Sequence, residues 1–174
     1  MSAHRVSVEE LGEHWADVDA LAEGEWIESI LSLPTWNDIC EELDWRTHLL
    51  QRQRYFSSRH HGRPGVYRLI GLEVEGDLTR PATLNRVCGR DPTGTLYIGK
   101  AGRLHQRLNQ LRRQRFRHQV MEALASGPLL EMFPDGKLAV AVYFTGCNPR
   151  IVESDLILAY VSSFGDVPPL SYKR

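Results

Sequence analysis

Gly65-Val66-Tyr67-Arg68-Leu69-Ile70-Gly71-Leu72 and Thr95-Leu96-Tyr97-Ile98 are the two stretches on which the fold turns. Both are short, rich in β-branched and aromatic residues, and read as strands. Between them, Glu73 to Gly94 carries Gly, Pro, Asp and Asn. It is too long for a hairpin turn, so it reads as an insertion with short structure of its own. A helix is expected from about Arg103 to Ala125, stopped by Ser126-Gly127-Pro128. Leu138 to Thr145 predicts a third strand. Asn148 as cap and Pro149 in the first turn open a last helix, which ends near Phe164-Gly165. The order is ββαβα. That is an α+β fold with a small three-stranded, mostly antiparallel sheet flanked by helices.

Upstream the pattern is helical. Val8, Leu11, Trp15, Val18, Leu21, Trp26, Ile30 and Leu31 recur at spacings of three to five, which predicts helix over 7–33. Ser7 and Glu10 have the spacing of a capping box. Pro34 breaks the run, and Thr35-Trp36-Asn37-Asp38 starts a second helix expected through Leu49-Leu50 toward Tyr55. Ser57 to Pro64 reads as a linker. The chain thus divides into a helical N-terminal extension, 1–63, and a domain, 64–174.

Composition is that of an ordinary globular chain, and 174 residues suffice to bury a core. The longest apolar run, Leu138 to Phe144, is too short to cross a bilayer. The N-terminus has no apolar stretch of the signal-peptide kind, so a cytoplasmic location is expected. Cys40, Cys88 and Cys147 are odd in number, widely spaced and without a CxxC. They suit a reducing compartment rather than a disulfide framework or zinc ribbon.

The net charge of -1 hides an asymmetry. Residues 1–45 hold one basic and twelve acidic residues, and residues 46–174 hold twenty basic and ten acidic. A basic body attracts polyanions. The basic charge is densest at Lys100, Arg103, Arg107, Arg112, Arg113, Arg115 and Arg117, with no acid from Lys100 to Gln119. Like charges without i,i+4 partners destabilise a helix. Either a nucleic-acid backbone or the acidic N-terminal helices docking on this face would compensate them.

Three kinds of residue carry chemistry. Arg107 falls about 60° from Leu104 on a helical wheel, at the edge of the Leu104/Leu108/Leu111 stripe. From there its planar fork is able to reach a phosphate, or it is a border arginine extended over the core. Glu153 falls among Leu156, Tyr160, Phe164 and Ile157 on the last helix, which places a carboxylate in the middle of an apolar face. Such a group needs a cation, a metal or several donors. Tyr67 and Tyr97 lie one in each of two neighbouring strands, facing the basic helix. Gly94-Thr95-Leu96-Tyr97-Ile98-Gly99-Lys100-Ala101 approaches P-loop spacing, but it ends in Ala and reads as strand inside.

Gly65-Val66-Tyr67, Tyr97-Ile98-Gly99, Arg107 ten residues after the second tyrosine and Glu153 on the later helix together resemble the GIY-YIG nuclease family. The resemblance covers about residues 64–172. It implies a metal-dependent endonuclease hydrolysing DNA phosphodiester bonds. In that reading Glu153 holds Mg²⁺ or Mn²⁺, and Tyr67 is general base, assisted by Tyr97. Arg107 stabilises phosphate charge. Lys100, Arg103, Arg112, Arg113, Arg115 and Arg117 contact the backbone. Pro168-Pro169-Leu170-Ser171 is similar to the family's C-terminal motif, with Ser171 where asparagine is usual. The alternative is therefore a catalytically inactive nucleic-acid-binding module on the same fold. A homodimer is compatible with duplex cutting, and segment 73–94 is an insertion within reach of substrate.

Overall fold

The structure is a computed structural model that describes residues 34–52, 62–113 and 128–171. Its elements are α1 (Trp36–Glu42), β1 (Arg46–Leu49), β2 (Gly65–Gly71), β3 (Leu84–Arg86), β4 (Gly89–Asp91), β5 (Thr95–Ala101), α2 (Leu104–Arg113), α3 (Leu129–Met132), β6 (Leu138–Phe144) and α4 (Pro149–Phe164). A single 3-10 turn, Asp135–Lys137, leads into β6.

The main sheet is antiparallel throughout, in the order β1-β6-β2-β5, and β3-β4 form a separate hairpin. The expected α+β class holds. The expected three-stranded sheet does not, because the segment read as helix over 35–55 splits. Helix α1 ends at Glu42, and Arg46–Leu49 pairs with β6 in the register Arg46↔Val142. The free edge of β6 recruits these residues, and no local signal announces that non-local pairing. Helix α1 itself begins as expected, with a capping box between Thr35 and Asp38. The helix expected over 7–33 lies outside the described residues.

Strand β2 is the centre of the sheet. It pairs with β5 on one edge and β6 on the other, and every residue from Gly65 to Gly71 is buried. Successive side chains point to opposite faces. On one face, Tyr67 and Leu69 pack with Leu104, Leu108 and Leu111 of α2. On the other, Val66 and Ile98 pack with Val152, Leu156, Ala159 and Tyr160 of α4, and with Trp36 and Ile39 of α1. Helix α4 follows its sequence signals closely. Asn148 Oδ1 accepts from the Arg150 amide, Pro149 occupies the first turn, and Gly165 closes the helix in the left-handed region at φ 71°.

Segment 73–94 does have structure of its own, and it folds onto the far end of α4. The Cys88 amide donates to the Phe164 carbonyl at 2.9 Å, and Arg86 pairs with Asp166 at 3.1 Å while also donating to the Val167 carbonyl. Asp91, fully buried, anchors it: its carboxylate accepts from the Thr93 amide and hydroxyl, the Thr95 amide and the Tyr160 hydroxyl. Losing these acceptors leaves four donors unpaired in or beside the core, so Asp91→Ala should lower unfolding stability by about 3 kcal/mol. Urea unfolding followed by circular dichroism measures it. A loss within experimental error of zero would mean that Asp91 is not an anchor.

Candidate active site

The two tyrosines are neighbours because of register. Tyr67 stands opposite Gly99, and Leu69 opposite Tyr97, so both phenols project from the same face of the sheet. Their rings lie 5.9 Å apart at 46°. Gly99 makes room for both. A Cβ there would stand 2.5 Å from the Tyr97 ring and 2.9 Å from the Tyr67 hydroxyl oxygen. Gly65 answers a different need: a Cβ would meet the Leu104 side chain at 2.5 Å and the Tyr143 carbonyl oxygen closer still. Each glycine is thus fixed by what approaches it.

The two phenols differ in environment. Tyr67 is 1% exposed, whereas Tyr97 is half-buried. Burial is the main reason that both hydroxyls are held above the ordinary phenol range. The neighbouring hydroxyls act on each other, raising Tyr67 and lowering Tyr97. The Arg107 guanidinium lowers both, and the Glu153 carboxylate raises both. One tyrosine pair therefore feels the arginine and the glutamate together. Water reaches Tyr97 and not Tyr67.

Arg107 is half-buried on α2, beside the buried Leu104, Leu108 and Leu111, as its place on the wheel implied. Glu153 requires a correction. The buried residues of α4 include Val152, Leu156, Ala159, Tyr160 and Phe164, which puts Glu153 at the border of the buried face rather than at its centre. Its side chain is 14% exposed and forms a close ion pair with Lys100 Nζ. Lys100 is thus engaged by the glutamate, not simply presented to solvent.

The remaining basic residues spread outward. Arg103 and Arg113 are exposed. Arg112 is half-buried and reaches Asn109 Oδ1 at 3.5 Å. Arg115 and Arg117 lie outside the described residues. Sequence reasoning missed a second basic edge: the guanidinium groups of Arg46 and Arg63 lie 5.5 Å and 5.0 Å from the Phe144 ring centroid. Their distance in sequence hid them, and the pairing of β6 with β1 on one edge and β2 on the other brings them together. Ser171 donates its amide to the Pro168 carbonyl at 2.8 Å, and its buried hydroxyl has no hydrogen-bond partner among the described residues. Within segment 73–94, Leu84 packs into the same core cluster as Tyr67. The segment's Cys88 end docks near Phe164, roughly three helical turns along α4 from Glu153.

Comparison of the chain with protein-family models, with curated proteins and with solved structures gives no match.

Among the described residues, no group of three or more His, Cys, Asp and Glu side chains is placed to hold a metal ion. Glu153 alone fits only a hard cation of the Mg²⁺ kind, which takes one or two carboxylates and fills its shell with water and phosphate oxygens.

The two phenols offer a direct test of this electrostatic arrangement. Glu153→Gln removes a negative charge and should move the Tyr97 titration to lower pH. Tyr67→Phe removes the neighbouring hydroxyl that lowers Tyr97 and should move it higher. Tyrosine ¹³Cζ chemical shifts followed from neutral to alkaline pH report both. A midpoint unmoved in both variants would contradict the arrangement.

Proposed function

We propose that this chain is a metal-dependent endonuclease acting on DNA phosphodiester bonds. The observation that carries the proposal is the Tyr67–Tyr97 pair, its rings 5.9 Å apart, with Arg107 and Glu153 both in electrostatic reach. Arg107 brings positive charge to the place where a phosphate would gain negative charge, a contribution often dominant in catalysis. The resemblance in the two tripeptides supports the same reaction.

The geometry suggests an exchange of roles between the tyrosines. Tyr97 is the phenol that water reaches, and the neighbouring Tyr67 hydroxyl favours its ionised form. We assign Tyr97 as general base and Tyr67 as the residue that positions it. Glu153 would hold the cation, and a bound Mg²⁺ would polarise the phosphate and lower the pKa of water. Lys100 now pairs with Glu153. On substrate binding its ammonium would pass to a phosphate oxygen, leaving the carboxylate available. Arg103, Arg46 and Arg63 extend a basic rim on which the DNA backbone would lie, giving affinity without sequence choice. A reducing, cytoplasmic setting suits the three free cysteines.

The second reading is a binding module without cleavage. It is favoured by Ser171, whose hydroxyl lies buried with no partner among the described residues where the family's asparagine is usual.

Supercoiled plasmid incubated with protein and Mg²⁺ or Mn²⁺ separates the two. The nuclease reading predicts nicked circles that appear first, and a rate reduced about 100-fold or more in Arg107→Ala and Glu153→Ala. A shifted band on a native gel with intact plasmid would favour the module instead.

A further inference from the structure

The face of β2 opposite the tyrosines carries a feature that the nuclease reading does not use. Arg68 follows Tyr67 and therefore points to the other side of the sheet. It is 7% exposed, and among the described residues it forms no ion pair with a carboxylate. Its guanidinium lies 5.1 Å from the Trp45 ring centroid and 5.9 Å from that of Trp36. One nitrogen, Nη1, donates to Cys40 Sγ at 2.6 Å and toward Thr95 Oγ1 at 3.5 Å. Burial pushes the Cys40 thiol up to about 12, so it offers no negative charge at neutral pH. Thr95 Oγ1 contacts Thr93 Oγ1 at 2.8 Å, and Thr93 donates to Asp91, so the nearest route to a carboxylate passes through two hydroxyls. Nε of Arg68 is buried and has no hydrogen-bond partner among the described residues.

Arg68 lines a cavity of about 300 Å³ between α1, β1, β2 and segment 73–94. That volume is at the lower end of the range for small-molecule sites. Asn37 also lines it, and its buried Oδ1 likewise has no partner among the described residues. The rest of the wall is largely apolar, including Ile70, Leu72 and, at the mouth, the partly exposed Leu78. Glu41 is exposed at the rim, where solvent screens its charge.

A buried, unsatisfied guanidinium N–H calls for an anionic acceptor, because such donors are costly to leave unpaired. An unsatisfied amide oxygen calls for a donor on the same ligand. The hydrocarbon wall calls for a short apolar body. We propose that this cavity binds a small hydroxycarboxylate. Its carboxylate accepts from Arg68 Nε–H, its hydroxyl donates to Asn37 Oδ1, and its carbon chain lies against Ile70, Leu72 and Leu78. Inorganic phosphate carries no hydrocarbon to fill the apolar wall.

Arginine side-chain Nε–H resonances of the full chain, titrated with 3-hydroxybutyrate, butyrate and inorganic phosphate in the millimolar range, test this. The Arg68 signal, assigned as the one absent in Arg68→Lys, should shift saturably with 3-hydroxybutyrate. Butyrate should bind several-fold more weakly, and Asn37→Ala should remove that difference. Leu78→Trp fills the mouth without touching Arg68 and should abolish the shift. This variant also carries the test if Arg68→Lys fails to fold, since the signal that Leu78→Trp silences then identifies the site. No saturable shift with either acid, a shift unchanged in Leu78→Trp, or phosphate binding as tightly as 3-hydroxybutyrate would overturn the proposal.

Discussion

Both faces of the molecule depend on β2 being paired on both edges and buried on both sides. A strand in that position has no freedom to slip, since a one-residue shift would exchange the residues of its two faces. Tyr67 is thereby committed to the α2 side and Arg68 to the α4 and α1 side. Gly65 and Gly99 are the places where the same constraint falls on backbone spacing, because neighbouring chains and rings come too close for a Cβ. The tyrosine pair and the buried arginine are two consequences of one register.

That register also explains how a site forms from weak signals. A tyrosine in a strand is ordinary, and so is an arginine at a helix border. Tyr67 and Tyr97 acquire chemical character because β2–β5 pairing brings their rings side by side, and because Arg107 and Glu153 act on both. Their opposed charges tune the pair in opposite directions. Lys100 adds a further control, since its ammonium already neutralises Glu153.

Much of the frame was legible in the chain. Strands β2, β5 and β6 were marked by β-branched and aromatic runs, and α4 by Asn148, Pro149 and Gly165. Local chemistry decides those elements. Strand β1 was not legible, because Arg46–Leu49 becomes a strand only when the edge of β6 is available. Burial of Arg68 and Asp91 was equally hidden: a charged residue in a sequence carries no sign of the rings or hydroxyls that will surround it. Glu153 lies at the border of the buried face rather than at its centre, since a wheel drawn from hydrophobicity cannot tell which arc α4 turns to the sheet. For the proposed site, the candidate residue types were readable, while the proposed division of labour between Tyr67 and Tyr97 rests on their unequal burial, which the sequence does not carry.

The central claim is that Glu153, Tyr97 and Arg107 serve one reacting phosphate around a cation. Crystals soaked in Mn²⁺ with a short DNA duplex, measured at the manganese absorption edge, test it most directly. The expected result is an anomalous peak bonded to a Glu153 carboxylate oxygen, a phosphate beside Arg107 and Tyr97, and Lys100 Nζ moved from Glu153 to that phosphate. Bound DNA with no metal at Glu153, or metal bound elsewhere with the Lys100–Glu153 pair intact, would contradict it.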